Sequence, residues 1–319
     1  MWALTIREKE LELVERDVPE PGPYDVLVSV HAAGINAADL MQRQGFYPAP
    51  PGWPVDVPGM ELAGVVSAVG DRVIEPMLGR RVCAVVGGGA QATHCLVPSE
   101  HLLFLPDDVA WEEAGGFPEA FTTAYDALVS QGNLQAGQRA LISGAAGGVG
   151  VAAVQIAHAV GAHVTAVTRT TKFHEALCAL GASDTITTEE VGSIEPVDVV
   201  LELIGAAHLE KAQRVLNPFA RVVVIGVGAG SRVDLDLLGM MRSRATFTGS
   251  TLRSRSREEK ARVARLVGDA LIPRWTSGEL KVPLARVFDL RSGADAYDYF
   301  AQPGKFGKVV LRMDEFVSL

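Results

Sequence analysis

The sequence predicts an α/β protein in which a doubly wound parallel sheet is joined to a second, β-rich domain. Three features of the 319-residue chain carry that expectation. From Arg139 onward, short apolar runs alternate with stretches of helical spacing. The first of those runs, Ala140-Leu141-Ile142, breaks into Ser143-Gly144-Ala145-Ala146-Gly147-Gly148-Val149-Gly150 just where a helical pattern begins. The first hundred residues, by contrast, read as strands and turns without such alternation.

Composition limits the function classes. With 48% hydrophobic residues and 33 glycines, the chain suits a soluble α/β protein long enough for two domains. A formal charge of −9 argues against broad binding to nucleic acid or to an anionic membrane, and leaves room for a local anion pocket. Cys83, Cys95 and Cys178 are too few and too scattered for a disulfide framework or a Cys-x-x-Cys metal knuckle, which points to a reducing compartment. No apolar run reaches the ~18 residues of a membrane span, so the expected location is cytoplasmic.

In chain order, Val26 to Ala32 has strand character and follows the punctuation of Pro19, Pro21, Gly22 and Pro23. Asn36 is placed to cap a helix running to Arg43, which would set Asn36, Asp39 and Arg43 along one side. Asp39 with Arg43 reads equally as a surface ion pair or as part of a site. Five prolines between Pro48 and Pro58 predict an irregular surface loop. Pro58 to Gly70, Gly79 to Val86 and Ala92 to Val97 return to strand. Long helical spacing first appears between Trp111 and Val129.

The glycine turn after Ile142 suits a dinucleotide: small residues let the backbone approach a pyrophosphate, and N–H groups at the helix start bind its oxygens. Ala146, Gly147, Gly148 and Val149 are the candidates. Ala145 occupies the first place of the frame Ala145, Gly147, Gly150, so the spacing departs from strict G-x-G-x-x-G and also reads as a turn for close helix packing. The second strand, His163 to Val167, ends in Thr168-Arg169-Thr170-Thr171-Lys172, without the acid that usually binds both ribose hydroxyls. Arg169 and Lys172 would attract a 2′-phosphate, which favours NADPH; the plainer reading makes them surface cations. Further strands are expected at Thr185-Ile186, Asp198 to Glu202, Arg221 to Gly226 and Thr246 to Gly249, so that Gly226 and Ser250 would face the cofactor. Arg253, Arg255 and Arg257 read as a solvated loop entering a helix.

Four groups of residues carry a resemblance along the whole chain. They are Ala33-Gly34-Ile35-Asn36 with Asp39, Arg43, Gly45 and Tyr47; Pro58-Gly59-Met60-Glu61 with Gly64; Ala145 to Gly150; and Gly249-Ser250-Thr251-Leu252-Arg253. Together they resemble the zinc-free quinone oxidoreductases of the medium-chain dehydrogenase/reductase superfamily. The resemblance implies a GroES-like β-rich domain from residues 1–115 and 283–319 and a Rossmann domain from residues 116–282. It implies no metal, because Asn36 and Met60 stand where zinc-dependent relatives carry Cys and His, and the four-Cys lobe of a structural zinc is missing. It also implies that Asn36, Thr123 and Arg253 lie at the cofactor, although Thr123 reads as well as a helix threonine bonded to its own backbone. A homodimer through the edge strand Thr246 to Gly249 is a further implication.

The implied chemistry is hydride transfer from NADPH to a small-molecule substrate, a quinone or conjugated carbonyl, followed by one proton. Tyr47 is the candidate donor, with Asn36 beside it in the catalytic set; Tyr47 reads also as an aromatic lid. Met41 replaces a tyrosine that relatives often carry. Two other readings stay open: an enoyl or alkenal double-bond reductase, and a low-turnover NADPH-binding or RNA-binding protein, against whose RNA form the acidic balance argues.

Overall fold

The computed structural model describes residues 1–313 and Phe316. Its chain divides into two units, the first formed by Met1–Thr122 with the described residues from Leu252 onward, the second by Thr123–Thr251.

In the first unit, β1 (Trp2–Arg7) and β2 (Glu10–Glu15) form a hairpin whose register brings Arg7 opposite Glu10. The two turn residues, Glu8 and Lys9, both take positive φ, of 50° and 71°, as a tight hairpin with right-handed strand twist requires. Next come β3 (Asp25–Ile35), α1 (Ala37–Arg43), β4 (Glu61–Val69), β5 (Arg81–Val85), β6 (His94–Pro98) and β7 (Leu103–Phe104). The strands expected at Val26 to Ala32, Pro58 to Gly70, Gly79 to Val86 and Ala92 to Val97 are therefore present. Val26, Val28 and Val30 of β3 enter one core with Leu62 and Val66 of β4 and Val82 and Ala84 of β5. The long helical stretch after Trp111 is broken into α2 (Trp111–Gly116) and α3 (Pro118–Tyr125), since Pro118 supplies no N–H to continue the helical hydrogen bonds. A wide turn, Asp126–Gln131, follows, with Gly132 N–H reaching the Ala127 carbonyl at 2.8 Å.

The second unit holds the alternating pattern: β8 (Arg139–Ile142), α4 (Gly148–Val160), β9 (His163–Thr168), α5 (His174–Ala179), β10 (Asp184–Thr187), β11 (Val197–Glu202), α6 (Ala206–Ala212), β12 (Leu216–Val224), α7 (Leu237–Ser243) and β13 (Thr246–Gly249). All six strands are parallel, in the order β10-β9-β8-β11-β12-β13. Counted along this unit, that order is 3-2-1-4-5-6, which reverses on leaving β8 and so marks where a ligand binds in such sheets. Leu141, Val200, Val222 and Val167 lie buried beneath the helices.

The chain then returns to the first unit with α8 (Arg257–Thr276), β14 (Leu284–Asp289), α9 (Gly293–Ala301) and β15 (Lys308–Arg312). β15 pairs antiparallel with β3, completing the sheet order β14-β15-β3-β4-β5-β7, while β6 pairs the other end of β3. The sequence division closed the nucleotide domain at residue 282, whereas contacts group α8 with the first unit. The reason is visible in its partners: Arg257 pairs with Asp25 and Glu100, and Trp275 stacks on Phe117 with ring centroids 4.3 Å apart.

Candidate active site

Where β3 ends, Asn36 takes the N-cap position of α1 with extended backbone, and Asp39 accepts a hydrogen bond from the Asn36 N–H at 2.8 Å. The same carboxylate accepts from Gly59 N–H at 3.1 Å. Asp39 is fully enclosed, and burial, opposed by those two N–H groups, pushes its pKa up to about 6. Asp39 is thus no surface partner of Arg43, whose guanidinium instead meets Glu10 at 2.8 Å and Asp298 at 3.8 Å.

The Asn36 side chain also bonds partners outside α1. Its Nδ2 donates to Glu61 Oε1 at 2.8 Å, and its Oδ1 accepts from Lys308 Nζ at 2.6 Å. Lys308 also donates to Glu61 Oε1 at 2.6 Å, and the other Glu61 oxygen accepts from Glu119 N–H at 2.8 Å. All three side chains are buried. A Cβ on Gly34 would lie 2.1 Å from Glu61 Oε1, so only glycine leaves the carboxylate this space. Met60 is buried next to Glu61 and carries no charge.

Arg253 is another buried cation. Its Nε donates to Gly87 O at 2.7 Å, Nη1 to Tyr47 O at 3.1 Å and Nη2 to Gln42 Oε1 at 2.6 Å. The expected solvated loop is therefore, at Arg253, a staple joining three segments of the first unit. Its guanidinium carbon also lies 5.2 Å from the centroid of the Tyr47 ring. Tyr47 is half-buried, and burial raises its phenol pKa while Arg253 acts in the opposite sense. Sequence reasoning missed Lys308, Gln42, and the buried pair in which Tyr297 OH donates to Gln91 Oε1 at 2.7 Å. A lysine at the head of the apolar run Val309-Val310-Leu311 was the available signal.

In the second unit the parallel registers bring the strand ends together: Ile142 stands beside Ala166 and Leu201, Glu202 beside Val224, and Val224 beside Gly249. Arg169, Gly226 and Ser250 thus follow their strands at one edge of the sheet, as does the glycine turn. Gly147 is the N-cap of α4. The first-turn N–H groups of Gly148, Val149 and Gly150 have no acceptor within the helix. A Cβ on Gly150 would meet Gly144 O at 2.4 Å, whereas one on Gly147 would find its nearest atom at 3.4 Å. Gly150 is thus needed for packing, and Gly147 has room beside it. Ala146 immediately precedes Gly147 in the same turn. Arg169 and Lys172 are exposed, with the Lys172 ammonium 4.7 Å from the Phe173 ring. Thr123 is buried on α3, and Ser250 Oγ accepts from Gln131 Nε2 at 2.7 Å.

A charged knot that no sequence motif announces lies at the same edge. Glu202 Oε1 accepts from Ser143 Oγ at 2.9 Å and from the N–H groups of Ile204 and Gly205 at 2.7 and 2.8 Å, and Oε2 meets His208 Nδ1 at 2.5 Å. Burial would raise the Glu202 pKa, but His208 and the two N–H groups outweigh it and hold the carboxyl below its ordinary value. Glu202 thereby fixes the turn that follows β11.

A six-stranded parallel sheet with a glycine turn at its switch point, joined to a β-rich unit carrying a buried polar cluster, defines a two-domain oxidoreductase. Comparison with known proteins agrees. Residues 22–130 match the alcohol dehydrogenase GroES-like domain and residues 148–268 the zinc-binding dehydrogenase family. The synaptic vesicle membrane protein VAT-1 homolog of Rattus norvegicus is 33% identical over 92% of this chain and 78% of its own length. For the Homo sapiens homolog the identity is 39% over 66% of this chain, and the match spans only 55% of that protein. The quinone oxidoreductase of Homo sapiens is 29% identical over 92% of this chain and 91% of its own. Among solved structures, the Thermus thermophilus quinone oxidoreductase, described also in complex with NADPH, superposes with a TM-score of 0.85 and 33% identity, covering 98% of this chain and 100% of that one. The chain belongs to the medium-chain dehydrogenase/reductase superfamily, on its quinone oxidoreductase-like branch. It is an oxidoreductase of that superfamily. Among the described residues no helix is long and apolar enough to cross a membrane.

Proposed function

We propose that the protein is an NADPH-dependent reductase that delivers hydride to a quinone without zinc. The observation that carries the cofactor choice is Arg169, an exposed cation immediately after β9, on a strand end that has no acid to repel a 2′-phosphate. Lys172 adds positive charge three residues on. The N–H groups of Gly148 and Val149, with Ala146 and Gly147 leaving them accessible, would hold the pyrophosphate. Gly226, Ser250 and Thr123 would form the rest of the cofactor wall. When bound, the nicotinamide supplies the hydride.

The first unit supplies the proton. The Tyr47 phenol, its pKa raised by burial, stays protonated at neutral pH, as a donor must. Asn36, held by Glu61 and Lys308, gives the site a fixed amide beside α1. Zinc does not suit this set of donors: Asn36 offers an amide whose oxygen already accepts from an ammonium, and Met60 offers a thioether. Among the described residues no group of three or more His, Cys, Asp or Glu is placed to hold a metal. The quinone oxidoreductase relatives support the substrate class. By the same resemblance the enzyme is a homodimer joined through β13, an edge strand of the sheet, and its few scattered cysteines favour the cytoplasm.

The test is a pair of measurements. Arg169→Ala should weaken NADPH binding by ~1.5–3 kcal/mol, roughly ten- to a hundredfold, and leave NADH unchanged. Fluorescence titration of both cofactors reads this out, and equal losses for the two would overturn the assignment. After dialysis against a chelator, the protein should still reduce quinones from NADPH faster than enals or enoyl thioesters. A preference for the latter would replace the quinone by a double-bond substrate.

A further inference from the structure

The order of the six parallel strands reverses between β8 and β11, and in such sheets the ligand enters the crevice between the loops that leave those two strands. Here the loops are the glycine turn, which starts at Ser143, and the turn Leu203-Ile204-Gly205, both in the second unit. Hydrogen bonds tie them together across the point of reversal. Ser143 N–H donates to Leu201 O at 3.0 Å, Leu203 N–H donates to Ser143 Oγ at 2.7 Å, and that hydroxyl donates in turn to Glu202 Oε1 at 2.9 Å.

Glu202 holds a third loop as well. Beyond the Ile204 and Gly205 N–H groups on its Oε1, its backbone carbonyl accepts from the N–H groups of Ile225 and Gly226 at 2.9 and 3.1 Å. The loops meet without slack: a Cβ on Gly226 would lie 2.4 Å from Leu203 O, and one on Gly205, which takes φ 111°, would lie 2.5 Å from Gly230 O. Gly144 faces the same turn, since a Cβ there would stand 3.5 Å from Leu203 Cβ. Gly144, Leu203, Ile204 and Gly226 are half-buried, whereas Ser143, Glu202 and His208 have no exposure. The carboxylate therefore touches no ligand and acts only through the loops it shapes. Because a carboxylate only accepts, His208 Nδ1 carries a proton toward Oε2, so both oxygens are occupied.

We propose that Glu202 is a positioning residue for the dinucleotide: it fixes the width of the crevice at the strand reversal, so that the glycine turn and the Leu203–Gly205 turn meet the cofactor in one geometry. The inference rests on the glycine turn being the pyrophosphate grip. NADPH and NADH share that crevice, so Glu202 acts on both alike, whereas the effect of Arg169 is confined to the 2′-phosphate.

Three variants of the full chain test this. Glu202→Met leaves the three donors on Oε1 without an acceptor, Glu202→Gln keeps one oxygen for them, and Ser143→Ala breaks only the links through the hydroxyl. NADPH and NADH are titrated into each folded protein well below its melting transition. Glu202→Met should raise both dissociation constants about tenfold. Ser143→Ala should raise both about threefold, and Glu202→Gln should stay within about twofold of the parent. In turnover the KM for NADPH should rise by the same factor, with kcat at saturating NADPH and the KM of the acceptor unchanged. A role confined to stability would lower the melting temperature and leave the affinities alone. If Glu202→Met does not fold, Ser143→Ala decides. Unchanged affinity, a loss confined to NADPH, or a Glu202→Gln variant as weak as Glu202→Met would each overturn the proposal. Gly147→Asp separates it from the reading beneath: if that change abolishes nucleotide binding and Glu202→Met does not weaken it, only the positioning role falls, while a parent that binds neither nucleotide removes both.

Discussion

Removing the Lys308 ammonium is the most direct probe of the buried cluster. Lys308→Met fills a similar volume but leaves Glu61, which has no exposure, without the cation 2.6 Å away. Breaking a buried pair from one side costs about 3–5 kcal/mol. Two donors remain on Glu61, from Asn36 Nδ2 and Glu119 N–H, both at 2.8 Å, which puts the expectation near the lower end. Urea unfolding followed by tryptophan fluorescence isolates the effect, because Trp2, Trp53, Trp111 and Trp275 all lie in the first unit. With a slope of about 3 kcal/mol/M, the midpoint should fall by about 1 M. The double change Glu61→Gln with Lys308→Met removes both charges and should return most of the loss. The reasoning fails if the single change leaves the midpoint in place, or if the double change is as unstable as the sum of the two singles.

Asp39 makes stability depend on pH. Its folded pKa of about 6 exceeds the ordinary aspartate value of 3.8, so the stability it contributes is fully present below about pH 4 and lost as pH rises through 6, about 3 kcal/mol in all. Urea midpoints at pH 4, 5.5 and 7 should show that slope in the parent and not in Asp39→Asn; parallel curves would refute it. At the glycine turn, Gly147→Asp should abolish NADPH binding in a protein of unchanged melting temperature, since its Cβ has 3.4 Å to the nearest atom. Gly150→Ala, which would bring a methyl to 2.4 Å from Gly144 O, should instead destabilise by about 1–3 kcal/mol in thermal unfolding. Equal behaviour of the two variants would count against the division of roles. Arg253→Met strips the donors from Gly87 O, Tyr47 O and Gln42, and should cost about 3 kcal/mol in the tryptophan-monitored transition. A cost below about 0.5 kcal/mol would mean that water replaces those bonds.

What the sequence by itself determined was local. The apolar run His163 to Val167 and the helix after Gly147 are set by neighbours within a few residues, and Gly161, at φ 87°, ends that helix as left-handed backbone permits. Four strands of the β-rich unit followed from apolar, β-branched runs and from proline and glycine punctuation in the same way. Tertiary structure decided the partners of buried charge. Asn36 meets Lys308 across 272 residues, and Arg253 meets Gln42 across 211. Nothing near Asn36 distinguishes an amide that caps a helix from one that binds a lysine, and nothing near Arg253 distinguishes a solvated cation from a buried one. The assignment of α8 to the first unit rests likewise on Asp25, Glu100 and Phe117, far away in the chain. Backbone preference acts over one helical turn or one strand, whereas burying a charge becomes favourable only when a distant group arrives to satisfy it, and that arrival depends on how the sheets close.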